Sequence, residues 1–316
     1  MMKNRAIILY TLFIIFLCVF PFMADSKWSA VGTTFLIYAV VALSQDIVLG
    51  RAGMFDMGHA IFFGVGAYST AILNTAYGIP IFWTIPVAII VPIIVGLAIA
   101  TPIVHLRGDY LLVTMIGFNI VFVQVLANNI FGLTGGPNGI FGISFPSLFG
   151  WRFDSQNEIY LLAFVLFLLT LLVIRNLETS RAGRALHYIK ADSLAAECVG
   201  IHDRFYRLYA FGIGAGIAGV AGSLFAVQYS AVSPEAFNFL QSVLFFSIVI
   251  VGGPSSIPGI LLGTFVMFVL PEIFRELATA RYFVFGIAMI LAMVLRPRGI
   301  WPYNFGKMPK FVKEEH

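Results

Sequence analysis

Charge is scarce in this chain. Only 11% of its 316 residues are charged while 60% are hydrophobic, and the mean hydropathy is +0.95. A soluble domain carries about 25% charged residues, so one water-soluble core is excluded and a polytopic membrane protein is indicated. Cysteine is nearly absent: Cys18 lies in an apolar run and Cys198 in a charged segment, so no disulfide framework is expected. The histidines (His59, His105, His187, His202 and His316) are scattered and read as helix-end or loop residues, with no Cys/His cluster at metal spacing. The glycine-rich stretch Leu133–Ile140 lacks the Lys-Ser/Thr that a nucleotide loop requires. No Ser/His/Asp, Cys/His, metal or paired-carboxylate arrangement is recognisable within the apolar runs, which argues against an enzyme. The net charge of +4 needs no nucleic acid to explain it, because basic cytoplasmic loops give a membrane protein the same excess.

What is present is a succession of apolar runs. A transmembrane helix needs about 20 such residues, and ten candidates satisfy or approach this: 6–23, 28–49, 59–77, 81–104, 110–130, 158–175, 208–229, 239–251, 257–274 and 281–295. The run at 239–251 is short, and a re-entrant or partly buried helix there would leave nine crossings. The first run exceeds the usual ~7–15-residue core of a signal peptide and lacks a small-x-small cleavage site, so it reads as a first span. All basic residues except Lys27, Arg152, Arg275 and Arg281 fall on one side if the N-terminus is inside, which puts both termini in the cytoplasm. The expected architecture is all-α, a single transmembrane helix bundle over 1–316, with an external loop at 131–157 and a cytoplasmic loop at 176–207.

Ionisable groups are rare inside the spans. Asp46 and Glu272 stand near helix ends and not at mid-depth, where ion-coupling groups are expected; this disfavours an ion-driven transporter. Small residues recur at helical spacing in Ala60, Gly64, Ala67 and Ala71, and again in Gly212, Gly216, Gly219 and Gly222, which predicts close helix packing in lipid. Two polar turns interrupt the spans. In 50–59, Asp56 is placed as the N-cap of the helix that follows Gly58 and His59. In 252–259, Gly252 and Gly253 precede a helix starting at Ser256 or Ile257. Each reads either as a plain turn or as irregular backbone beside a solute path.

The largest gathering of charge is 176–207, with Arg181, Arg184, Lys190, Arg204 and Arg207 among Glu178, Asp192, Glu197 and Asp203. Within it, Asp192 or Ser193 can cap a short helix through Leu194, Ala195, Ala196, Glu197, Cys198 and Val199, ended by Gly200. Leu194 and Cys198, like Ala195 and Val199, are four apart and share an apolar face. Two turns are marginal alone in water, so this helix is expected to dock in a groove of a cytosolic protein, with Arg184, Lys190 and Glu197 at the rim. A solvated loop is the plainer alternative.

Four stretches together resemble the permease subunits of branched-chain amino-acid ABC importers, the LivM-like branch in particular. They are Gly50 to Tyr68; Leu106 to Tyr110 with Val113-Thr114 and Leu133 to Ile140; Gly183 to Leu186, Ala195 to Glu197, Gly200-Ile201, Tyr206 to Leu208 and Ala210-Phe211; and Val251 to Gly253, Pro258-Gly259 and Arg296 to Ile300. The sequence departs from the family at Asp56, where serine is usual, at Asn119 and Phe122, where Glu and Arg are common, and at His187 and Ala191. The resemblance implies a non-enzymatic inner-membrane permease for branched-chain or related small amino acids, urea and amides being alternative cargoes. It also implies partners: a second homologous permease, two cytoplasmic ABC ATPases that bind the ATP, and an extracytoplasmic solute-binding protein. The permease itself would need no cofactor. The 176–207 loop would be the coupling segment, with Arg184, Asp192 and Leu194 to Gly200 meeting the ATPase. Asp56, Gly58, His59, Asn119, Gly252 and Gly253 are the candidates for the solute path or its helix breaks.

Overall fold

In a computed structural model the chain is described over residues 20–21, 25–106, 108–129, 132–148, 151–273, 286, 290 and 299–301. The expected first and last spans, and hence the side of both termini, lie outside the described residues. Among the described residues eleven α-helices follow one another: α1 (Ser26–Asp46), α2 (Ala60–Tyr77), α3 (Ile81–Ile103), α4 (Asp109–Ala127), α5 (Gln156–Thr179), α6 (Arg181–Ala191), α7 (Ser193–Cys198), α8 (Asp203–Tyr229), α9 (Phe239–Gly252), α10 (Ile257–Thr264) and α11 (Leu270–Ile273). A π-helical turn, Ile47–Arg51, extends α1, and another, Phe265–Val269, joins α10 to α11. Among the described residues six helical segments are long and apolar enough to cross a membrane: α1 with its π turn, α3, α4, α5, α8, and the 3₁₀ turn Pro234–Phe237 running into α9. The short 239–251 run thus gains its length from that preceding turn. The result is an all-α membrane bundle.

Burial ranks the helices. From Thr33 onward every residue of α1 is buried, and α8 is buried over most of its length from Ala210 to Val227. A helix apolar and buried all round belongs at the centre, so α1 and α8 form the axis of the bundle. By contrast α3 and α4 bury one narrow stripe each and leave the rest exposed.

Backbone contact, made possible by small residues, brings α2 and α3 against α8. A Cβ at Gly222 would lie 2.0 Å from the Phe63 carbonyl oxygen, one at Gly66 2.1 Å from that of Gly219, and one at Gly219 2.2 Å from that of Ala88. On α3 the matching stripe is Ala88, Pro92, Gly96 and Ala100, all buried. The glycines expected on α8 are therefore used at Gly219 and Gly222. Gly212 has only ordinary contacts, with Leu97 and Ile93. On α2 the close approach falls to Gly66 and not Gly64, which faces the rings of Phe122 and Phe237.

One end of the bundle is closed by the loops between α4 and α5 and between α8 and α9. A 3₁₀ turn at Gly136–Asn138 leads into β1 (Ile140–Phe141), which pairs antiparallel with β4 (Ala231–Val232); β2 (Ser147–Leu148) pairs with β3 (Trp151–Arg152). Asn129 organises the glycine-rich turn: its Oδ1 accepts from the Thr134 and Gly135 amides at 3.1 and 3.0 Å. Ser155 and Glu158 then form a reciprocal capping box that starts α5. At the opposite end lie α6 and α7.

Candidate functional site

The charged segment is more helical than its sequence suggested. Arg181–Ala191 forms α6, begun by Ser180, whose Oγ accepts from the Gly183 amide at 3.1 Å. Ala185, Leu186 and Ile189 lie at i, i+1 and i+4 and are buried, which is the stripe of an amphipathic helix packed on the bundle. Reading the stretch for charge concealed that period. The axial helix α8 likewise begins at Asp203, ahead of the apolar run, because Asp203 accepts from Arg207 four residues on and keeps the guanidinium paired as it enters the bundle.

Between α6 and α8 stands α7. Asp192 caps it, its Oδ1 accepting from the Leu194 and Ala195 amides at 2.9 and 3.1 Å. Gly200 ends it at φ +84°, a left-handed conformation that costs glycine nothing, with its amide on the Glu197 carbonyl and that of Ile201 on Ala196. Ser193 and Ala196 face inward and are buried. Leu194, Ala195, Glu197, Cys198, Val199 and Gly200 face outward; Leu194 is 69% and Val199 75% exposed. An apolar crown on a capped two-turn helix is an exposed surface without a cover among the described residues.

A cleft opens on each side of this ridge. One, of about 310 Å³, lies between the α1–α2 linker, the α3–α4 turn and Ile189 to Ser193, with Arg207 in its wall. The other, of about 420 Å³, is lined by Thr101, Pro102, Val104, His105, Glu197, Asp203 and Arg204. Glu197 thus stands at a cleft margin. Arg184 instead folds back on its own junction, donating from Nη1 to the Thr179 carbonyl at 3.0 Å. Lys190, expected at the rim, is exposed along its stem but turns its ammonium onto the Gly50 carbonyl. Burial is the chief influence on its ammonium and lowers its pKa; the neighbouring Asp46 opposes this and Arg51 adds to it. His187 is also held below the ordinary imidazole range, first by burial and then by Lys190.

The solute-path candidates fall into two groups. Asp56 is not the N-cap of α2. Met57, Gly58 and His59 intervene before the first helical residue, and the Ala60 amide is satisfied by Ser242 Oγ of α9 at 3.2 Å. Asp56 instead accepts from the Gly58 amide at 2.8 Å and meets His59 Nδ1 at 2.9 Å, while His59 Nε2 lies 2.8 Å from Ser44 Oγ. A Ser/His/Asp chain is therefore present after all, assembled from α1 and the linker. Its three members are fully buried and Ser44 Oγ also binds the Val41 carbonyl at 2.6 Å; neither cleft reaches them. Gly58 packs on the Met115 carbonyl of α4. One turn further along α4, Asn119 is buried, donates to the Phe237 carbonyl at 3.2 Å, and leaves its own Oδ1 without a partner among the described residues. Gly252 and Gly253 stand apart, at the α9–α10 break. Gly252 touches Gly259 and Gly263, and residues 299–301 pack there through the Ile300 and Trp301 amides. These two glycines serve backbone packing, and they line neither cleft.

Among curated proteins the chain is similar to the high-affinity branched-chain amino acid transport system permease protein LivM of Escherichia coli, 34% identical over 306 residues, covering 89% of this chain and 72% of that one. It is similar also to LivH of Salmonella typhimurium, 28% identical with 83% and 90% covered, and to BraD of Pseudomonas aeruginosa, 25% identical with 85% and 92% covered. No solved structure matches. Since the family model described as "Branched-chain amino acid transport system / permease component" matches residues 29–293, the chain belongs to that family of transport permeases.

Proposed function

We propose that this chain is the membrane-spanning permease subunit of an ATP-binding cassette importer for branched-chain or related small amino acids, set in the bacterial inner membrane. A second permease resembling the LivH relative would complete the path, a binding protein would deliver solute, and two cytoplasmic ATPases would supply the energy. The single observation that carries the coupling role is α7: a helix capped at both ends that buries Ser193 and Ala196 against its own bundle and offers Leu194, Ala195, Cys198 and Val199 outward between two clefts. An amphipathic helix presented in this way suits a hydrophobic groove. Glu197 at a cleft margin would set orientation through charge.

One observation favours a second reading. The buried Asp56–His59 pair is an ionisable group inside the bundle, and such groups serve ion-coupled transporters. Proteoliposomes separate the two. With the ATPases and ATP inside and the binding protein outside, leucine uptake is expected to persist when a protonophore collapses the proton gradient. Loss of uptake with ATP maintained would establish the ion-coupled reading. Competition by unlabelled valine, urea or acetamide in the same assay identifies the cargo class.

A further inference from the structure

At the root of the α6–α7 segment, four charged side chains and two turns converge on the end of α1. Asp46 is fully buried; its Oδ2 accepts from Arg51 Nε at 3.2 Å and its Oδ1 from the Ser255 amide at 2.7 Å. Arg51 reaches on through Nη2 to Glu178 Oε1 of α5 at 2.9 Å. The Gly50 carbonyl accepts both Ser255 Oγ, at 2.7 Å, and the Lys190 ammonium from α6. Two carboxylates and two cations balance. The segments joined are α1, the end of α5, α6 and the α9–α10 turn.

Three features set this junction apart from ordinary packing. The helix end that holds it is a π turn, a form found mostly as single turns at functional sites. Ser255 adopts φ +68°, which a serine rarely does, and so presents both its amide and its hydroxyl to α1. Gly50 has no room for a side chain, since a Cβ would lie 1.8 Å from Asp46 Oδ1 and 2.8 Å from the Ser255 amide. Of the four charged side chains, Asp46 is buried and Arg51 nearly so, and such an ion pair seldom stabilises a fold more than apolar side chains of equal volume; where it has a use, it is to fix one arrangement among several. The apolar stripe of α6 fixes no register by itself, whereas the Lys190–Gly50 bond ties α6 to one point on α1.

We propose that this junction is the joint through which displacement of α6 and α7 reaches the transport core, with Lys190 and Asp46 as its positioning residues. It rests on the reading that α7 is moved by an ATPase. A pull on the Gly50 carbonyl acts on the buried axial helix and, through Ser255, on the α9–α10 turn. Lys190 is thereby distinguished from Arg184 and Glu197: its ammonium carries the displacement inward to α1.

The test compares Lys190→Met, which keeps the aliphatic stem and removes the ammonium, with Lys190→Arg, which restores a donor. In the reconstituted complex, Lys190→Met is expected to retain its ATPases while solute imported per ATP hydrolysed falls about tenfold, a usual size for coupling between sites; Lys190→Arg recovers part of the ratio. Ser255→Gly, which keeps the positive φ and removes the hydroxyl bond to the same carbonyl, lowers the ratio in the same direction and stands in if Lys190→Met does not accumulate. An unchanged ratio overturns the joint, and so does a proportional fall of transport, hydrolysis and thermal midpoint together. Failure of the wild-type chain to hold an ATPase at all overturns the functional reading instead.

Discussion

Gly222→Val is expected to destabilise the folded protein severely, whereas Gly117→Ala leaves it intact. At Gly222 the first added carbon would lie 2.0 Å from the Phe63 carbonyl oxygen and 2.9 Å from the Ala67 amide, and valine adds two methyl groups beyond that. Overpacking costs about 1–3 kcal/mol where neighbouring side chains can shift. Here the obstructing atoms are the backbone of α2, and α8 is held on its other side by Ala88 and Pro92 through Gly219. The penalty therefore falls at or above the upper end of that range. At about 1.4 kcal/mol per tenfold, the folded-to-unfolded ratio drops roughly a hundredfold or more, a large share of a typical margin of about 5–15 kcal/mol. A Cβ at Gly117 meets nothing within 4 Å, so the same helical residue type on α4 tolerates alanine. Size-exclusion profiles of fluorescently tagged, detergent-extracted protein check both variants. A monodisperse wild-type peak for Gly222→Val would mean that α2 and α8 do not approach as described.

Leu194→Asp is expected to leave the permease folded and to release the ATPase. The side chain is 69% exposed in the permease alone, and substitutions at such positions change stability by about 0.5 kcal/mol or less. In a groove it would be covered, and a fully buried leucine contributes about 1.5–3 kcal/mol. A carboxylate in its place adds a desolvation cost, so the affinity for the ATPase falls about a hundredfold or more. Ala196→Asp is the counterpart: Ala196 is buried against the bundle, so the charge disrupts the permease itself. Co-purification of the ATPase with each variant, alongside its thermal midpoint, separates the two faces of α7. Full ATPase retention by Leu194→Asp would remove that face from the interface.

The elements legible in the sequence were those written in local pattern. The apolar runs gave the helices, and of the two starts expected for α10, Ser256 or Ile257, the helix begins at Ile257 with Ser256 as its cap. Asp192 and Gly200 bracketed α7 because both cap types act within a few residues. What stayed hidden depends on distant pairings. Asp46 and Ser255 are 209 positions apart, and Lys190 and Gly50 are 140 apart, so nothing local marks Lys190 as a side chain whose ammonium reaches α1. Ser44 looked like one more small residue of an apolar run, and His59 like a helix-end residue, until α1 and the linker were brought together. The axial place of α8 also escaped notice at its start, where Asp203, Arg204 and Arg207 make the sequence look like loop. For α6 a signal did exist, in the spacing of Ala185, Leu186 and Ile189, but the abundance of charge around it drew the reading toward solvent.

The central claim is that α7 sits in an ATPase, and its own cysteine tests this most directly. The chain holds only Cys18 and Cys198, and Cys198 is exposed on the outward face of α7. In a Cys18→Ser background, Cys198 in the purified permease alone is expected to react readily with a water-soluble maleimide. In the assembled complex it should become protected, and a short bis-maleimide should join it to a cysteine placed in the ATPase groove. Equal labelling rates with and without the ATPases, in a complex that still imports its solute, would contradict the account.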